Sequence, residues 1–309
     1  MALTPVAPRL ATITRRVESN RPRPAERTSV PDALASDSAR HAILAERAAG
    51  WLGSVSRRHS RRAFDGGAAE PEGLEQIEAL CRAWRPYADA RTVPIVRPIV
   101  DIFTGVVGAY GKVTGAPHVL AFIGDERADF TDQHVGYTGE AIVLEAASLG
   151  LATCWVGGFF NAKKVCQLVD LSPGERVYAV SPIGYALGRA SLSERVMAAI
   201  AGAHHRKQVA DIAPGAAREE WPAWAVAAVE TARLAPSALN RQPWRFRFED
   251  GGLVLAKDSA FETPKVAKRL DIGIAMLHAE IAAEAHGIHG SWTDLAGTDV
   301  ARFDPRTHP

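Results

Sequence analysis

The sequence has no strong charge of either sign, few cysteines and no long uninterrupted apolar run. Its 309 residues carry 36 basic and 35 acidic side chains, a formal net charge of +1, so no overall field indicates nucleic acid or an anionic membrane as a partner. Three cysteines without metal-like spacing are typical of reduced thiols in a cytoplasmic protein. Residues 141–160 are the only candidate membrane span, and Glu145 and the pair Gly157-Gly158 interrupt them, so we expect no spanning helix.

Several cofactor motifs are also missing. No Gly-x-Gly-x-x-Gly follows a strand pattern, which argues against a Rossmann nicotinamide domain. The tandem histidines at 204 and 205 have no carboxylate or cysteine at ligand spacing, so we expect no metal site. Residues 1–40 contain scattered prolines and arginines, no apolar periodicity and no secretory signal. We expect a disordered tail there, with an organelle-targeting peptide as the alternative.

The remaining chain alternates helical patterns with a few strand patterns, which predicts an α+β fold of antiparallel sheets covered by helices. Helices are predicted at about 42–55, 74–84 and 162–169, with further long helices ending near Gly150 and Gly287. Strands are predicted at 118–123, 176–184, 244–248 and 252–256. The proline-containing insert at about 86–115 has no clear element type.

Three landmarks recur at one spacing. Gly136, Gly150 and Trp155 reappear as Gly273, Gly287 and Trp292, and each pair differs by 137 residues (273 − 136, 287 − 150, 292 − 155). Between the glycines both copies are alanine-rich and helix-forming. We interpret the chain as two fused half-copies, 41–213 and 214–309, that form an internal pseudo-dimer.

Two segments carry side chains suited to a binding site. The run from Ala235 to Trp244 joins a helical pattern to a strand pattern, and Pro236 ends the helix. Ser237 and Asn240 then offer short hydrogen-bonding groups; an ordinary helix-to-strand turn is the alternative. The second segment, 58–64, reads Arg-His-Ser-Arg-Arg-Ala-Phe. Arginine forks with a serine hydroxyl suit a phosphate monoester, although a solvated surface run is the alternative.

These two segments resemble the FMN-dependent nitroreductase family. The loop has every fixed position of that family's pattern Ala-Pro-Ser-x-x-Asn-x-Gln-Pro-Trp, and the basic segment resembles the part that binds the FMN phosphate and ribityl oxygens. In that family a flavin lies at a homodimer interface, with one segment from each subunit. Here each half retains one segment, so the resemblance implies one composite flavin site in one chain. We therefore expect a nitroreductase-like fold and a monomer.

The resemblance also implies which residues bind the cofactor. The first half supplies Arg58, His59, Ser60 and Arg62, and its end supplies a further basic group at Arg206 or Lys207. Gly157 and Gly158 resemble the backbone turn at the flavin ring, where Trp155 and Phe159 are expected to be core aromatics. The second half supplies Pro236, Ser237, Ala238 and Asn240. No catalytic acid or base is expected, because the flavin carries the chemistry.

The function that the resemblance implies is electron transfer from NAD(P)H through FMN to a small organic acceptor, such as a nitroaromatic or a quinone, in a ping-pong cycle. Three alternatives remain open from the sequence. The protein could be a flavin-storage protein with its ring face covered by the 86–115 insert. It could be a specialised biosynthetic flavin oxidase or dehydrogenase, or a structural protein that has lost its flavin.

Overall fold

Two antiparallel sheets flank a pair of buried helices. A computed structural model describes residues 37–96, 102–103, 113–188, 205–214, 221–262 and 266–306, all of them within one compact unit, Ala33–Pro309. The helices are α1 (Asp37–Val55), α2 (Pro71–Ala83), α3 (Thr131–Ser148), α4 (Ala162–Cys166), α5 (Val209–Ile212), α6 (Ala223–Ala232) and α7 (Lys268–Ala285). The strands are β1 (Ala90–Ile95), β2 (His118–Asp125), β3 (Ala152–Thr153), β4 (Glu175–Gly184), β5 (Trp244–Glu249), β6 (Gly252–Lys257), β7 (Gly290–Asp294) and β8 (Asp299–Pro305). This arrangement confirms the predicted α+β class.

The two sheets have the same strand order. The first is β1-β2-β4-β3 and the second is β5-β6-β8-β7, and every neighbouring pair is antiparallel. In each sheet the register shifts once between the two central strands, after Phe122 in β2 and after Leu255 in β6. The long helices α3 and α7 begin 137 residues apart (268 − 131) and end 137 residues apart (285 − 148).

The long helices cross at two glycines. A Cβ atom on Gly136 of α3 would lie 2.1 Å from the carbonyl oxygen of Leu270, and one on Gly273 of α7 would lie 2.0 Å from that of Gln133. Only glycine allows two backbones to approach this closely. Both helices are buried on nearly every face, as expected for helices at the centre of a large core.

Some boundaries differ from the prediction. The helix α1 begins at Asp37, ahead of the predicted start at 42, whereas residues 1–36 lie outside the described part of the chain. The insert at 86–115, to which no element type was assigned, contains strand β1. Pro94 obscures this strand in the sequence, and it is tolerated because β1 is the edge strand of its sheet among the described residues and pairs there with β2 alone. The β7–β8 hairpin lies beyond the last predicted element. Among the described residues, no helix is long and apolar enough to cross a membrane.

A buried histidine connects the two sheets through α3. The Nδ1 atom of His134 lies 2.9 Å from both carboxylate oxygens of Asp89, just before β1, and its Nε2 atom lies 2.9 Å from Oδ2 of Asp294 at the end of β7. The Tyr87 ring stacks on the imidazole with centroids 3.8 Å apart. Burial opposes the charge, but the hydrogen bonds to Asp294 and Asp89 outweigh it and raise the pKa of His134 to about 9.

This raised pKa predicts a loss of stability in mild alkali. An imidazolium with a folded pKa of about 9 and an ordinary value of 6.5 stabilises the fold fully below pH 6.5, and the contribution disappears as the pH rises through 9. The loss is about 3 kcal/mol at most. Urea denaturation from pH 6 to pH 10 should show it, and His134→Gln should flatten the profile over this range. An unchanged profile in that variant would show that other groups cause the alkaline loss.

Candidate functional site

The basic segment leaves α1 and lies along the first sheet. The backbone N–H of Arg58 donates to the Ser54 carbonyl (2.8 Å), which ends the helix, and Ser60 then forms a parallel bridge with Thr153 of β3. Phe64 is buried. The segment is therefore fixed at both ends, with Arg58 turned into the protein while His59 and Ser60 are exposed.

Arg58 is a buried cation without adequate partners among the described residues. Its side chain is 5% exposed, and its Nε and Nη1 atoms have no hydrogen-bond partner in that part of the chain. The carboxylate paired with it, Glu140, has Oε1 4.0 Å from Nε. A buried charge costs several kcal/mol unless it is paired and hydrogen-bonded. The guanidinium is therefore suited to receive an anion.

Glu140 is already engaged by other groups. Its Oε2 atom accepts a 2.7 Å hydrogen bond from Nε1 of Trp155, and its Oε1 atom lies 2.9 Å from Nε2 of His278. Neither Glu140 nor His278 has measurable side-chain exposure. Since Glu140 belongs to α3 and His278 to α7, this buried cluster joins the two long helices behind Arg58. Neither residue was predicted from the sequence, because nothing in an alanine-rich helix distinguishes them.

A second guanidinium lies close enough to repel the first. Arg206 donates through Nη1 to Oδ1 of Asn240 and through Nη2 to the Leu234 carbonyl (3.2 Å). The pKa of Arg206 is lowered to about 10, mainly by burial and to a smaller extent by repulsion from Arg58 and Arg233. An anion between these cations would compensate the cost of burying the charge and would also relieve the repulsion. Arg206 also links the basic region to the loop of the second half through Asn240.

The loop that follows α6 has a strained backbone. Leu239, Asn240 and Gln242 have φ angles of 57°, 53° and 48°, in the left-handed region that side-chain-bearing residues avoid at a cost of about 1–2 kcal/mol each. Leu239 is 54% exposed. Such strain persists only where the surroundings fix the backbone, and it is concentrated at functional sites.

Gln242 fixes the loop on one side. Its buried side-chain amide donates to the His205 carbonyl (3.0 Å) and accepts from the backbone N–H of Lys207 (2.8 Å). In addition, Nζ of Lys207 donates to the backbone carbonyl of Gln242 (2.9 Å). The Ser237 hydroxyl accepts from the Gln242 N–H (3.0 Å). Lys207 is thus engaged with the loop. Gln242 is part of the loop pattern in the sequence, yet its structural role was not predicted.

Asp271 fixes the loop on the other side. Its Oδ1 atom accepts from the backbone N–H of Ala238 (3.1 Å) and its Oδ2 atom from Nε of Arg241 (2.6 Å). Burial raises the pKa of Asp271 to about 6, against the lowering effect of Arg241. Arg241 also donates to the Val266 carbonyl (3.1 Å). Asp271 lies 30 residues from Arg241 in sequence, so no local motif points to it.

The predicted glycine turn reaches the same region. A Cβ atom on Gly157 would lie 2.8 Å from Cγ2 of Val266, so a larger residue there would displace the Val266 side chain. Trp155 stacks on Phe122 with centroids 4.0 Å apart and is partly buried in the core. Phe159 is 43% exposed, so the expectation that it is a core aromatic is wrong. Gly158 is partly exposed in the same turn.

The structure links several of the predicted residues to one another. Arg58, Arg206 and Asn240 are connected by electrostatic or hydrogen-bonding contacts. In the same loop as Asn240, Pro236 is buried, Ser237 accepts from the Gln242 N–H and Ala238 donates to Asp271. His59 is exposed, and Arg62 is held through its carbonyl, which accepts from the Thr114 N–H (2.8 Å). His204 lies outside the described residues.

Comparison with known proteins identifies the family. The family model described as "Putative TM nitroreductase" matches residues 52–283, which is 232 of the 309 residues. The chain belongs to the nitroreductase family. Membership places it among the oxidoreductases, and the two helix-covered antiparallel sheets are a nitroreductase-like fold.

Solved structures of nitroreductases are similar to this chain. One from Thermotoga maritima, described as a "putative nitroreductase", is 22% identical with a TM-score of 0.52, and the match covers 82% of this chain and 92% of that chain. A nitroreductase with bound FMN from Bacteroides fragilis is 16% identical with a TM-score of 0.37, covering 46% and 91% respectively. An FMN-dependent nitroreductase from Clostridium difficile is 19% identical with a TM-score of 0.35, covering 45% and 91%. No curated protein matches the sequence.

Proposed function

We propose that this protein is an FMN-dependent oxidoreductase that takes electrons from NAD(P)H and passes them to a small organic acceptor, such as a nitroaromatic or a quinone, in a ping-pong cycle. The observation that carries the proposal is the buried Arg58 guanidinium, whose Nε and Nη1 atoms have no hydrogen-bond partner among the described residues and whose charge helps to lower the pKa of Arg206. Two desolvated guanidiniums in mutual repulsion are suited to a phosphate monoester, which is the anionic end of FMN.

The residues present fit the cofactor. Arg58, Ser60 and Arg62 would hold the phosphate from the first half, with Arg206 and Lys207 beside them. Ser237 and Asn240 would meet the flavin from the second half, and the backbone of Gly157 and Gly158 would approach its ring. When bound, FMN supplies the two-electron redox chemistry. The protein's own contribution is to bind and orient the cofactor, and we assign no catalytic acid or base.

We also propose that one chain forms one flavin site and functions as a monomer. The shared strand order, the 137-residue offset of α3 and α7 and the reciprocal glycine contacts support an internal duplication. Trp292, which lies 137 residues after Trp155, donates to Glu280 (2.8 Å), and Glu280 also pairs with the buried Arg40 and accepts from Tyr137 (2.6 Å). In that network the arginine is satisfied, so it offers no anion site comparable to Arg58.

The visible absorption spectrum tests the proposal. The full chain is incubated with FMN, desalted and then mixed anaerobically with NADPH or NADH. We expect one retained flavin per chain and bleaching of its band by at least one of the two donors. A retained band that neither donor bleaches would contradict the reductase and support flavin storage. No retained flavin would contradict the composite site. Light scattering on the same sample should give a monomer.

A further inference from the structure

The fourth residue of each long helix holds the segment that enters its own sheet. In α3 this residue is His134, which bonds Asp89 just before β1. In α7 it is Asp271, which bonds Ala238 and Arg241 just before β5. The two residues lie 137 positions apart (271 − 134) and make the same kind of contact in the two halves.

The two held segments differ in backbone strain. Between residues 84 and 89, all of them described, no residue other than glycine has a positive φ angle, whereas Leu239, Asn240 and Gln242 all do in the second half. A left-handed backbone without glycine reverts to ordinary conformations unless its neighbours prevent it. The contact made by Asp271 therefore holds a strained backbone in place, whereas the contact made by His134 does not.

Asp271 is well placed to hold the strained loop. Its side chain is 2% exposed, and its two oxygens accept from opposite ends of one short stretch: the Ala238 N–H at one end and the Arg241 guanidinium at the other. Leu239 and Asn240, both left-handed, lie between these anchors. A buried carboxylate on a rigid helix is a firm support for a loop, because the charge cannot be left unpaired.

We propose that Asp271 is a positioning residue that keeps the loop from Ser237 to Arg241 in the shape that binds FMN, without contacting the cofactor. This inference rests on the proposed function. Apparent affinity falls by the fraction of molecules whose loop has the competent shape. Weakening the support should therefore weaken FMN binding even though every predicted cofactor contact remains in the sequence.

The test is the variant Asp271→Asn. Asparagine keeps the size and can still accept from the Ala238 N–H, but it does not neutralise Arg241. We expect the FMN dissociation constant from a fluorescence titration to rise by roughly tenfold or more, the effect of losing a charged hydrogen bond. Tryptic cleavage after Arg241 in the cofactor-free protein should accelerate, which reports the loop directly and needs no activity.

The equivalent variant His134→Asn is the matched control. It also removes a buried charged contact of a long helix, so it should lower the melting temperature while leaving the FMN dissociation constant within roughly twofold. If Asp271→Asn fails to fold, the double variant Asp271→Asn with Arg241→Gln removes both charges together and should show the same loss of FMN affinity.

The outcomes separate this inference from the proposed function. Wild-type protein that binds FMN, together with an Asp271→Asn variant of equal affinity, would overturn the positioning role and leave the proposed function intact. Equal losses of affinity in Asp271→Asn and His134→Asn would reduce the effect to general destabilisation and also overturn it. Wild-type protein that binds no FMN would overturn the proposed function itself.

Discussion

Replacing Arg58 with methionine should abolish FMN retention and leave the cofactor-free protein at least as stable as the wild type. In the proposed complex Arg58 and the FMN phosphate form a buried charge pair, and removal of one partner of such a pair weakens binding by roughly 100-fold or more. Stability should move in the opposite direction, because Nε and Nη1 of Arg58 are buried without hydrogen-bond partners in the described part of the chain, and an apolar side chain of similar length avoids that cost. Fluorescence titration with FMN and a thermal melt of the cofactor-free protein measure the two effects.

The adjacent arginine provides the control. Arg57 is exposed, and its guanidinium makes a long contact of 3.4 Å with the Ser54 hydroxyl. Arg57→Met makes the same chemical change one residue away and should alter neither FMN affinity nor the melting temperature appreciably. Equal losses of affinity in the two variants would mean that overall charge, and not the buried guanidinium, attracts the cofactor. A less stable Arg58→Met protein with normal affinity would make Arg58 a structural residue.

Replacing Gly136 or Gly273 with alanine should strongly destabilise the protein. The new Cβ atom would lie 2.1 Å or 2.0 Å from a backbone carbonyl oxygen of the opposite helix, so α3 and α7 would have to move apart along their crossing. Overpacking against rigid backbone at the centre of the core should cost about 3 kcal/mol or more. Urea denaturation monitored by circular dichroism measures the change in the free energy of unfolding.

The control for this prediction is another helical glycine. Gly50 lies on the exposed side of α1, and a Cβ atom there would meet nothing within 4 Å. Gly50→Ala should therefore stabilise the protein by about 0.5–1 kcal/mol, since alanine loses less conformational freedom in a helix. If Gly136→Ala were as stable as Gly50→Ala, the two long helices would not be in backbone contact in solution.

Much of the fold could be predicted because its signals are local. Each long helix is followed by a glycine that can be recognised in the sequence. Strand β5 has alternating apolar and polar residues, and β6 contains a continuous apolar stretch; both are bounded by turn residues. Strand β1 was missed because Pro94 is a strand breaker except at an edge, and an edge is a property of the assembled sheet. The β7–β8 hairpin has short strands with mixed burial, so its periodicity is weak.

The site was predictable only where its residues are adjacent in sequence. Arg58 and the loop around Ser237 belong to recognisable motifs, and the structure links them through Arg206 and Asn240. Glu140, His278 and Asp271 are polar residues in apolar helices, which the sequence alone would place equally well on a solvated face. Their importance comes from complete burial and from partners 30 or more residues away, and both arise only on folding.

The paired positions on the long helices show a freedom that a single chain has and a symmetric assembly of identical subunits lacks. His134 and Asp271 are equivalent by offset, yet one pairs as a cation with Asp89 and the other as an anion with Arg241. A symmetric assembly of identical subunits must place the same amino acid at both equivalent positions. A continuous polypeptide has no such constraint, so one side can specialise in holding a cofactor while the other specialises in holding the molecule together.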